Sequence, residues 1–366
     1  MNVNSKAKEM ITFLSMLSTC HGAARNSKFK RFSLSNREKV FLLCIFFHLY
    51  FVSAFQRVSF FSKMKKARAS IARKINMSSS SEKGQILGPI WAKKRILNYS
   101  KDISTTNGLD IQEEIKDLDK ELRSSINDIF VDFIDIEKNR VDYVGIRESD
   151  QFKTFLQNCM KLRQINVLEM QEDERKAFFL NIYNALAIHS NIALGEPSNL
   201  FGRLKVYATA SYQIGEHVLS MNDIENGVLR NNRPGATPFA KPQFKKEDPR
   251  IAMSLPCDPR IHFCLNCGAI SCPPIRFYTA EDIDGQMDIA TRGYMQQVEV
   301  DPTSRNIRLP KLLDYYERDF GANQEEILDW VSKYLPEETS NSIGSEDIRS
   351  FKVSYLPYNW NSNKSG

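Results

Sequence analysis

Residues 173–197 read DERKAFFLNIYNALAIHSNIALGEP, and this stretch decides how the rest of the chain is interpreted. Its apolar residues recur at intervals of three and four, which is the spacing of one face of an α-helix. Asp173 and Glu174 would lie in the first turn, where carboxylates interact favourably with the positive end of the helix dipole. Gly195 and Pro197 are residue types that end helices. The stretch therefore predicts a long apolar helix.

Two asparagines, Asn181 and Asn184, interrupt this apolar helix. Because they are three residues apart, their side chains project from neighbouring positions on one face. Such amides either form hydrogen bonds inside the core or belong to a functional site. Core hydrogen bonding is favoured because a buried Asn readily anchors a loop, but both interpretations stay open.

Helical patterns precede this stretch, and short strands mixed with helices follow it. The predicted elements are helices at about 110–126, 150–162, 173–195, 220–230, 279–297, 312–320 and 324–334, hairpins at 204–219 and 298–309, a strand at 258–267 and an extended tail from 351. Because no alternation of strand and crossover helix is visible, the order of elements predicts an α+β fold in a single domain.

Residues 262–274, HFCLNCGAISCPP, hold three of the seven cysteines. Clustering of this kind in a long chain indicates buried thiols, a metal site or a reactive thiol rather than a disulfide scaffold. For a metal site, His262, Cys264, Cys267 and Cys272 would supply the nitrogen and sulfur ligands that zinc accepts. Their spacing is more cramped than in usual zinc motifs, so we expect neither a metal nor another cofactor.

A reactive thiol is the second interpretation, and Cys267 is the residue that fits it. Gly268 gives the backbone the freedom to expose a thiol at a sharp turn. A histidine would take the thiol proton as the sulfur attacks an acyl carbon. If residues 261–266 form a strand, His262 and Cys267 point to opposite faces, so they meet only where the chain kinks.

Other partners for this thiol remain open. His189 or His217 would be the base if His262 is out of reach, and Glu225 or Asn184 would orient that base. The third interpretation is structural, because free cysteine is among the most buried residue types and often only packs.

Several ordered motifs together resemble the family called domain of unknown function 547. They are FFLNIYNA at 178–185, DIE at 223–225, DPRIHFCLNCG at 258–268, SCP at 271–273 and the closing YLPYNW at 355–360. The resemblance covers about 150–362, and it implies a domain without implying a reaction. Asn226 stands where the family usually has His, and Asn359 stands where it usually has Asp, so any chemistry at those positions would be altered here.

Four candidate residues fall within these motifs: Cys267, His262, Glu225 and Asn184. Their combination favours a cysteine-dependent hydrolase or acyltransferase that acts on a peptide or amide. The alternative is a non-catalytic binding or scaffold module, in which the same polar residues hold loops in place.

The charge of the chain is unevenly distributed. Residues 1–80 contain 15 of the 50 Lys and Arg residues but only 2 of the 44 Asp and Glu residues, a balance of +13 that leaves −7 on the remainder. Binding of nucleic acid requires clustered Lys and Arg side chains. We therefore do not expect the acidic body of the chain to bind nucleic acid.

The basic leader contains one strongly apolar run, VFLLCIFFHLYFV at 40–52. This run is shorter than the roughly 20 residues of a membrane span, and it is typical of a signal peptide cleaved after Ala54. The basic segment 55–74 and the serines at 78–81 follow, with Phe55 directly after the cut. This order resembles the bipartite plastid leader of diatoms and related algae. We expect plastid import through the secretory pathway, with secretion or membrane anchorage through 40–52 as alternatives.

These observations divide the chain into four parts. They are a signal-peptide-like leader at 1–54, a transit-like segment and linker at 55–103, a helical extension at 104–149 and the globular domain at 150–362. We expect no stable transmembrane span in the mature chain, and the sequence does not identify a partner.

Overall fold

The decisive stretch forms the helix Glu172–Leu194, called the core helix below. All its residues from Ala177 to Asn191 are buried, so neighbours surround this part of the helix on every side. Among the described residues it is the one helix that is long and apolar enough to cross a membrane, but 83% of its apolar window is buried inside the protein. It is therefore the internal helix of a globular domain.

The computed structural model describes residues 85–87, 93–99, 111–197, 200–236, 240–344 and 347–365. The predicted leader and the transit-like segment lie outside these residues. The helices are α1 Ile111–Phe133, α2 Tyr143–Glu148, α3 Asp150–Lys161, α4 Glu172–Leu194 (the core helix), α5 Leu200–Thr209, α6 Ile283–Met295, α7 Lys311–Tyr315, α8 Glu317–Phe320, α9 Gln324–Ser332 and α10 Glu337–Ile343. The strands are β1 Gln85–Leu87, β2 Lys94–Ile96, β3 Ile134–Asp135, β4 Arg140–Val141, β5 Ala210–Ile214, β6 His217–Ser220, β7 Glu299–Asp301, β8 Asn306–Leu309 and β9 Lys352–Tyr355.

Three small sheets accompany these helices, which confirms the predicted α+β class. The largest has the strand order β1-β2-β5-β6, with β2 and β5 parallel and the other neighbours antiparallel. The second joins β7, β8 and β9, and the third pairs β3 with β4. Gly215 lies in the turn that joins β5 to β6. Strands β1 and β2 lie within the segment assigned to the linker.

Two hydrophobic clusters form the interior. The larger surrounds the core helix and includes residues of α1, α3 and the first sheet. The smaller includes residues of α6, α9 and the sheet of β7, β8 and β9. Phe263 belongs to the smaller cluster, whereas Cys264 and Leu265 belong to the larger one. The cysteine-rich stretch therefore begins where the two clusters meet.

The strand predicted at 258–267 is wrong. Residues Pro259–Phe263 form a 3₁₀-helix, which Asp258 caps by accepting a 3.0 Å hydrogen bond from Arg260 N. Asp at the cap and Pro at the first helical position both favour a helical turn over an extended chain. The expected alternation of His262 and Cys267 across a strand therefore does not apply.

The hairpin predicted at 204–219 is correct only from Ala210 onward. Residues 204–209 alternate in polarity like a strand, yet they continue the helix Leu200–Thr209. In that helix Arg203 and Tyr207 are four residues apart, and both donate to the main-chain oxygen of Cys267, at 3.2 and 3.5 Å. These tertiary contacts are invisible to a local pattern.

Candidate functional site

The segment Cys264–Cys272, called the cysteine loop below, is attached to the core helix by Asn184. The side-chain amide of Asn184 donates to Cys264 O at 2.9 Å, and its oxygen accepts from Asn266 N at 2.9 Å. Asn181 holds Tyr278 in the same way, through Tyr278 O at 2.7 Å and Tyr278 N at 2.9 Å. Both asparagines thus anchor loops.

The turn of the cysteine loop requires the conformational freedom of Gly268. Its φ is +84°, a conformation that L side chains rarely adopt. A Cβ at this position would lie 2.6 Å from the Asn191 amide nitrogen and 3.3 Å from the Tyr143 oxygen. Asn266 secures the turn, because its side-chain oxygen accepts from Gly268 N at 2.7 Å.

The turn brings two thiols together. The Sγ atoms of Cys267 and Cys272 are 2.8 Å apart, and the Cys272 sulfur also accepts from Cys267 N at 3.2 Å. The hydroxyl of Tyr358 lies 3.2 Å from the same sulfur. Cys267 is partly exposed, whereas only 3% of Cys272 is accessible to solvent.

These contacts separate the acidities of the two thiols. Burial acts to raise the pKa of Cys272, but the hydrogen bonds from Cys267 and Tyr358 outweigh it and hold that pKa at about 7. The bond to Cys272, together with burial, raises the pKa of Cys267 well above its ordinary value. Above about pH 7 the pair therefore shares one proton, which resides mainly on Cys267.

The C-terminal segment 359–363 runs along the cysteine loop and pairs with its main chain. Ile270 N donates to Asn361 O at 2.9 Å, Ser271 N donates to Asn359 O at 3.2 Å, and Asn363 N donates to Gly268 O at 3.1 Å. The closing motif at 355–360 thus contributes directly to the site through Tyr358 and Asn359.

Arg203 is a member of the site that the sequence did not reveal. Only 1% of this residue is exposed, and its Nη1 donates to Cys267 O, while Nε and Nη2 are buried without a hydrogen-bond partner. A buried guanidinium favours negative charge nearby, and here it opposes the rise in the pKa of Cys267. Nothing in the local pattern around Arg203 indicated this contact.

His262 binds a carboxylate rather than the cysteine loop. Its Nε2 is 2.8 Å from Asp319 Oδ2, and the same carboxylate accepts from Arg230 Nε at 2.6 Å and from Arg233 Nη1 at 3.0 Å. Burial lowers the pKa of His262, so the neutral ring donates through Nε2 and leaves Nδ1 as its basic atom. Burial acts to raise the pKa of Asp319, but the bonds from His262 and Arg230 lower it well below its usual range.

Glu225 accepts two tyrosine hydroxyls, from Tyr183 at 3.0 Å and from Tyr316 at 2.5 Å. The ring of Tyr316 stacks on His262 with a centroid separation of 3.9 Å. Burial raises the pKa of both tyrosines well above its ordinary value, and the negative charge of Glu225 raises it further. Glu225 and His262 therefore both contact Tyr316, and no described hydrogen bond joins either of them to Cys267.

The other two candidate bases lie on other elements. His189 packs against the rings of Phe152 and Phe155, and its Nδ1 is 2.9 Å from the hydroxyl of Tyr212. Burial lowers the pKa of His189 to about 3. His217 lies in β6, where it pairs with Ile214.

The four residues weighed as zinc ligands have other partners. His262 binds Asp319, the Cys264 thiol donates to Arg260 O at 3.4 Å, and Cys267 and Cys272 contact each other. Within the described part of the chain, no group of three or more His, Cys, Asp or Glu side chains is arranged to hold a metal ion.

Comparison with known proteins gives one match. The sequence model of the family described as "Protein of unknown function, DUF547" matches residues 167–295, which confirms the resemblance over that range. No curated protein and no solved structure was found to match the chain. At the two positions where the sequence led us to expect departures from the family, Asn226 accepts from Arg230 Nη1 at 2.5 Å, and the Asn359 side chain accepts from Asn361 N at 3.0 Å.

Proposed function

Taking residues 167–295 as a domain of this family of unknown function, we propose that the chain is a cysteine-dependent hydrolase or acyltransferase acting on a peptide or amide. Cys267 is the nucleophile. The observation that supports this most directly is the 2.8 Å separation between the sulfur atoms of Cys267 and Cys272. A thiolate is the reactive form of cysteine, and this contact supplies a proton acceptor for the more exposed thiol.

In the proposed step the Cys267 sulfur forms a bond to the acyl carbon while its proton passes to the Cys272 sulfur. Collapse of the tetrahedral intermediate breaks the bond to the leaving amine, which takes the proton from Cys272. Water or a second nucleophile then releases the acyl group from Cys267. The general base in this scheme is Cys272, and no histidine has to reach the cysteine loop.

The other candidate residues act as positioning residues in this scheme. Asn184 holds the main chain on either side of Leu265, immediately before Cys267. His262 and Glu225 hold the ring and the hydroxyl of Tyr316, which interacts electrostatically with Cys267. The positive charge of Arg203 beside Cys267 O favours the anion that develops during attack.

The alternative is a non-catalytic binding or scaffold module. It is favoured by the internal hydrogen bonds of Asn184, Glu225 and His262, each of which already has a partner within the domain. In such a module these bonds would only fix the shape of the loops. The hydrolase or acyltransferase requires a nucleophilic Cys267 thiol, whereas the binding or scaffold module does not.

An activated ester such as a p-nitrophenyl ester distinguishes them. We expect a stoichiometric burst of p-nitrophenol and an acyl adduct at Cys267, detected by peptide mass spectrometry. Cys272→Ser should slow trapping at neutral pH by about 100-fold, the typical contribution of a general base. Cys257→Ser is the matched control because Cys257 is also partly exposed, and it should leave trapping unchanged. Absence of an adduct at Cys267 in folded protein would favour the scaffold.

A further inference from the structure

We infer that Cys267 and Cys272 form a reversible intramolecular disulfide, so that the cysteine loop is an oxidative modification site. The disulfide itself does not depend on the proposed acyl chemistry. Its consequence for activity does rest on the proposed function, because the disulfide would consume the nucleophile and its base together.

The geometry of the reduced loop supports this inference. A disulfide bond is about 2.05 Å long, so the two sulfur atoms, now 2.8 Å apart, need to approach by less than about 1 Å. The loop is already closed by the bond from Cys267 N to Cys272 Sγ and by the bond from Cys272 N to Ala269 O. Little conformational freedom remains to be lost when the sulfurs join.

The loop is also fixed from outside. Asn184 anchors one end, and the main chain of 359–363 pairs with residues 268–271. An intramolecular reaction between groups held this close proceeds at a high effective concentration. Once Cys267 has been oxidised, the attack of Cys272 on it should therefore be much faster than the initial reaction of Cys267 with the oxidant.

The difference in exposure of the two cysteines sets the order of the steps. Cys267 is partly exposed and meets the oxidant first, whereas Cys272 is buried. With a low-molecular-weight disulfide as oxidant, the Cys267 thiol passes its proton to the Cys272 sulfur while its own sulfur attacks one sulfur of the oxidant, and the thiolate that is released takes up that proton. The Cys272 thiolate then attacks the Cys267 sulfur of the mixed disulfide and releases the second. The protein loses two electrons and two protons, and the oxidant is reduced to two thiols.

The other cysteines of the described residues do not share this geometry. The Cys264 thiol donates to a main-chain oxygen, and Cys159 is buried in the larger hydrophobic cluster. Among the described residues, the sulfur atoms of Cys267 and Cys272 contact each other, and no hydrogen bond joins Cys257 to a second cysteine. We therefore expect one specific bond rather than general oxidation.

The test is incubation of the folded full chain with oxidised glutathione, followed by alkylation of the remaining thiols and peptide mass spectrometry. We expect a Cys267–Cys272 disulfide that dithiothreitol reverses. Cys272→Ser should accumulate glutathione on Cys267 because the resolving thiol is missing. Cys257→Ser should form the disulfide as the unmodified chain does. Stable glutathione on Cys267 in the unmodified chain, or both thiols remaining free, would overturn the inference.

The same samples separate this inference from the proposed function. If the disulfide forms and dithiothreitol restores ester trapping at Cys267, both stand. If the disulfide forms but reduced protein never traps the ester, the modification site stands and the acyl chemistry fails. If reduced protein traps the ester but no disulfide forms, the acyl chemistry stands and the modification site fails.

Discussion

At the scale of single residues, the amide of Asn184 connects the core helix to the cysteine loop. Its two hydrogen bonds satisfy one main-chain oxygen and one main-chain N–H that are otherwise buried. Asn181 makes an equivalent pair of bonds to Tyr278, which lies beyond the loop. Asn181 and Asn184 therefore make equivalent pairs of bonds, but only Asn184 holds the cysteine loop.

We predict that Asn184→Ala and Asn181→Ala lower the free energy of unfolding by similar amounts. Each leaves two buried main-chain groups unpaired, at about 1–3 kcal/mol per group. Urea titration measures the loss, and alkylation of Cys267 gives the second readout. Only Asn184→Ala should change the rate of alkylation. Equal alkylation rates in both variants would show that the anchor does not position the thiol.

His189 allows a second prediction at this scale. Its pKa falls from 6.5 to about 3 on folding because of burial. Below pH 6.5, His189 is therefore protonated in the unfolded chain but stays neutral in the folded chain. The free energy of unfolding consequently declines as the pH falls toward 3. A single histidine of this kind changes the free energy of unfolding by up to about 1.4 kcal/mol per pH unit. His189→Gln should flatten this decline in urea titrations between pH 6 and 4. If the free energy of unfolding of His189→Gln declined with pH as steeply as that of the unmodified chain, His189 would not be the cause of the decline.

At the scale of elements, the sequence predicts what depends on local pattern. The core helix, the helix Ile283–Met295 and the hairpin turning at Gly215 were all recognisable from periodicity and turn residues. The strand predicted at 258–267 failed because Asp258 and Pro259 begin a 3₁₀-helix. The parallel pairing of β2 with β5 could not be predicted, because it joins segments more than a hundred residues apart.

The candidate site shows the same division. Cys267 was identified because it precedes Gly268 within a motif, and Asn184 because it interrupts an apolar helix. The contact between Cys267 and Cys272, the buried Arg203 and the approach of Tyr358 all arise from tertiary structure. No single-sequence pattern encodes such contacts.

The turn of the cysteine loop yields a prediction about Gly268. Gly268→Ala places an L residue at φ +84° and a Cβ 2.6 Å from Asn191, so we expect both a stability loss and altered alkylation of Cys267. Gly195→Ala is the control because its φ is +81° but nothing lies within 4 Å. Gly195 has ψ 152°, a backbone conformation nearly exclusive to glycine, so Gly195→Ala should lose only this backbone cost, about 1–3 kcal/mol, in thermal or urea unfolding. Normal Cys267 alkylation in Gly268→Ala would argue against a rigid turn.

At the scale of the whole molecule, the site is assembled from distant parts of the chain. The core helix supplies Asn184, the helix Leu200–Thr209 supplies Arg203, and the C-terminal segment supplies Tyr358. The cysteine loop lies where these parts converge. Because Tyr358 lies outside residues 167–295, the site extends beyond the range that matches the family.

We propose that the basic leader directs the chain to the plastid through the secretory pathway. The proposal rests on the apolar run at 40–52 and the acid-free basic segment after Ala54. Residues 1–85 fused to a fluorescent protein should accumulate in plastids of an algal cell. Phe55→Ala should divert the fusion from the plastid, because the plastid leaders it resembles have Phe at that position. A diffuse cytosolic signal would exclude the targeting proposal.

The most direct test of the central claim is the pH dependence of Cys267 alkylation by iodoacetamide in the folded protein. The shared proton predicts that the rate at Cys267 rises with an apparent pKa near 7, the value that the hydrogen bonds give Cys272. Cys257, whose pKa burial raises to about 12, should stay unlabelled across the same range. Labelling of Cys267 only after denaturation, or with the ordinary thiol pKa of about 8.5, would contradict the account.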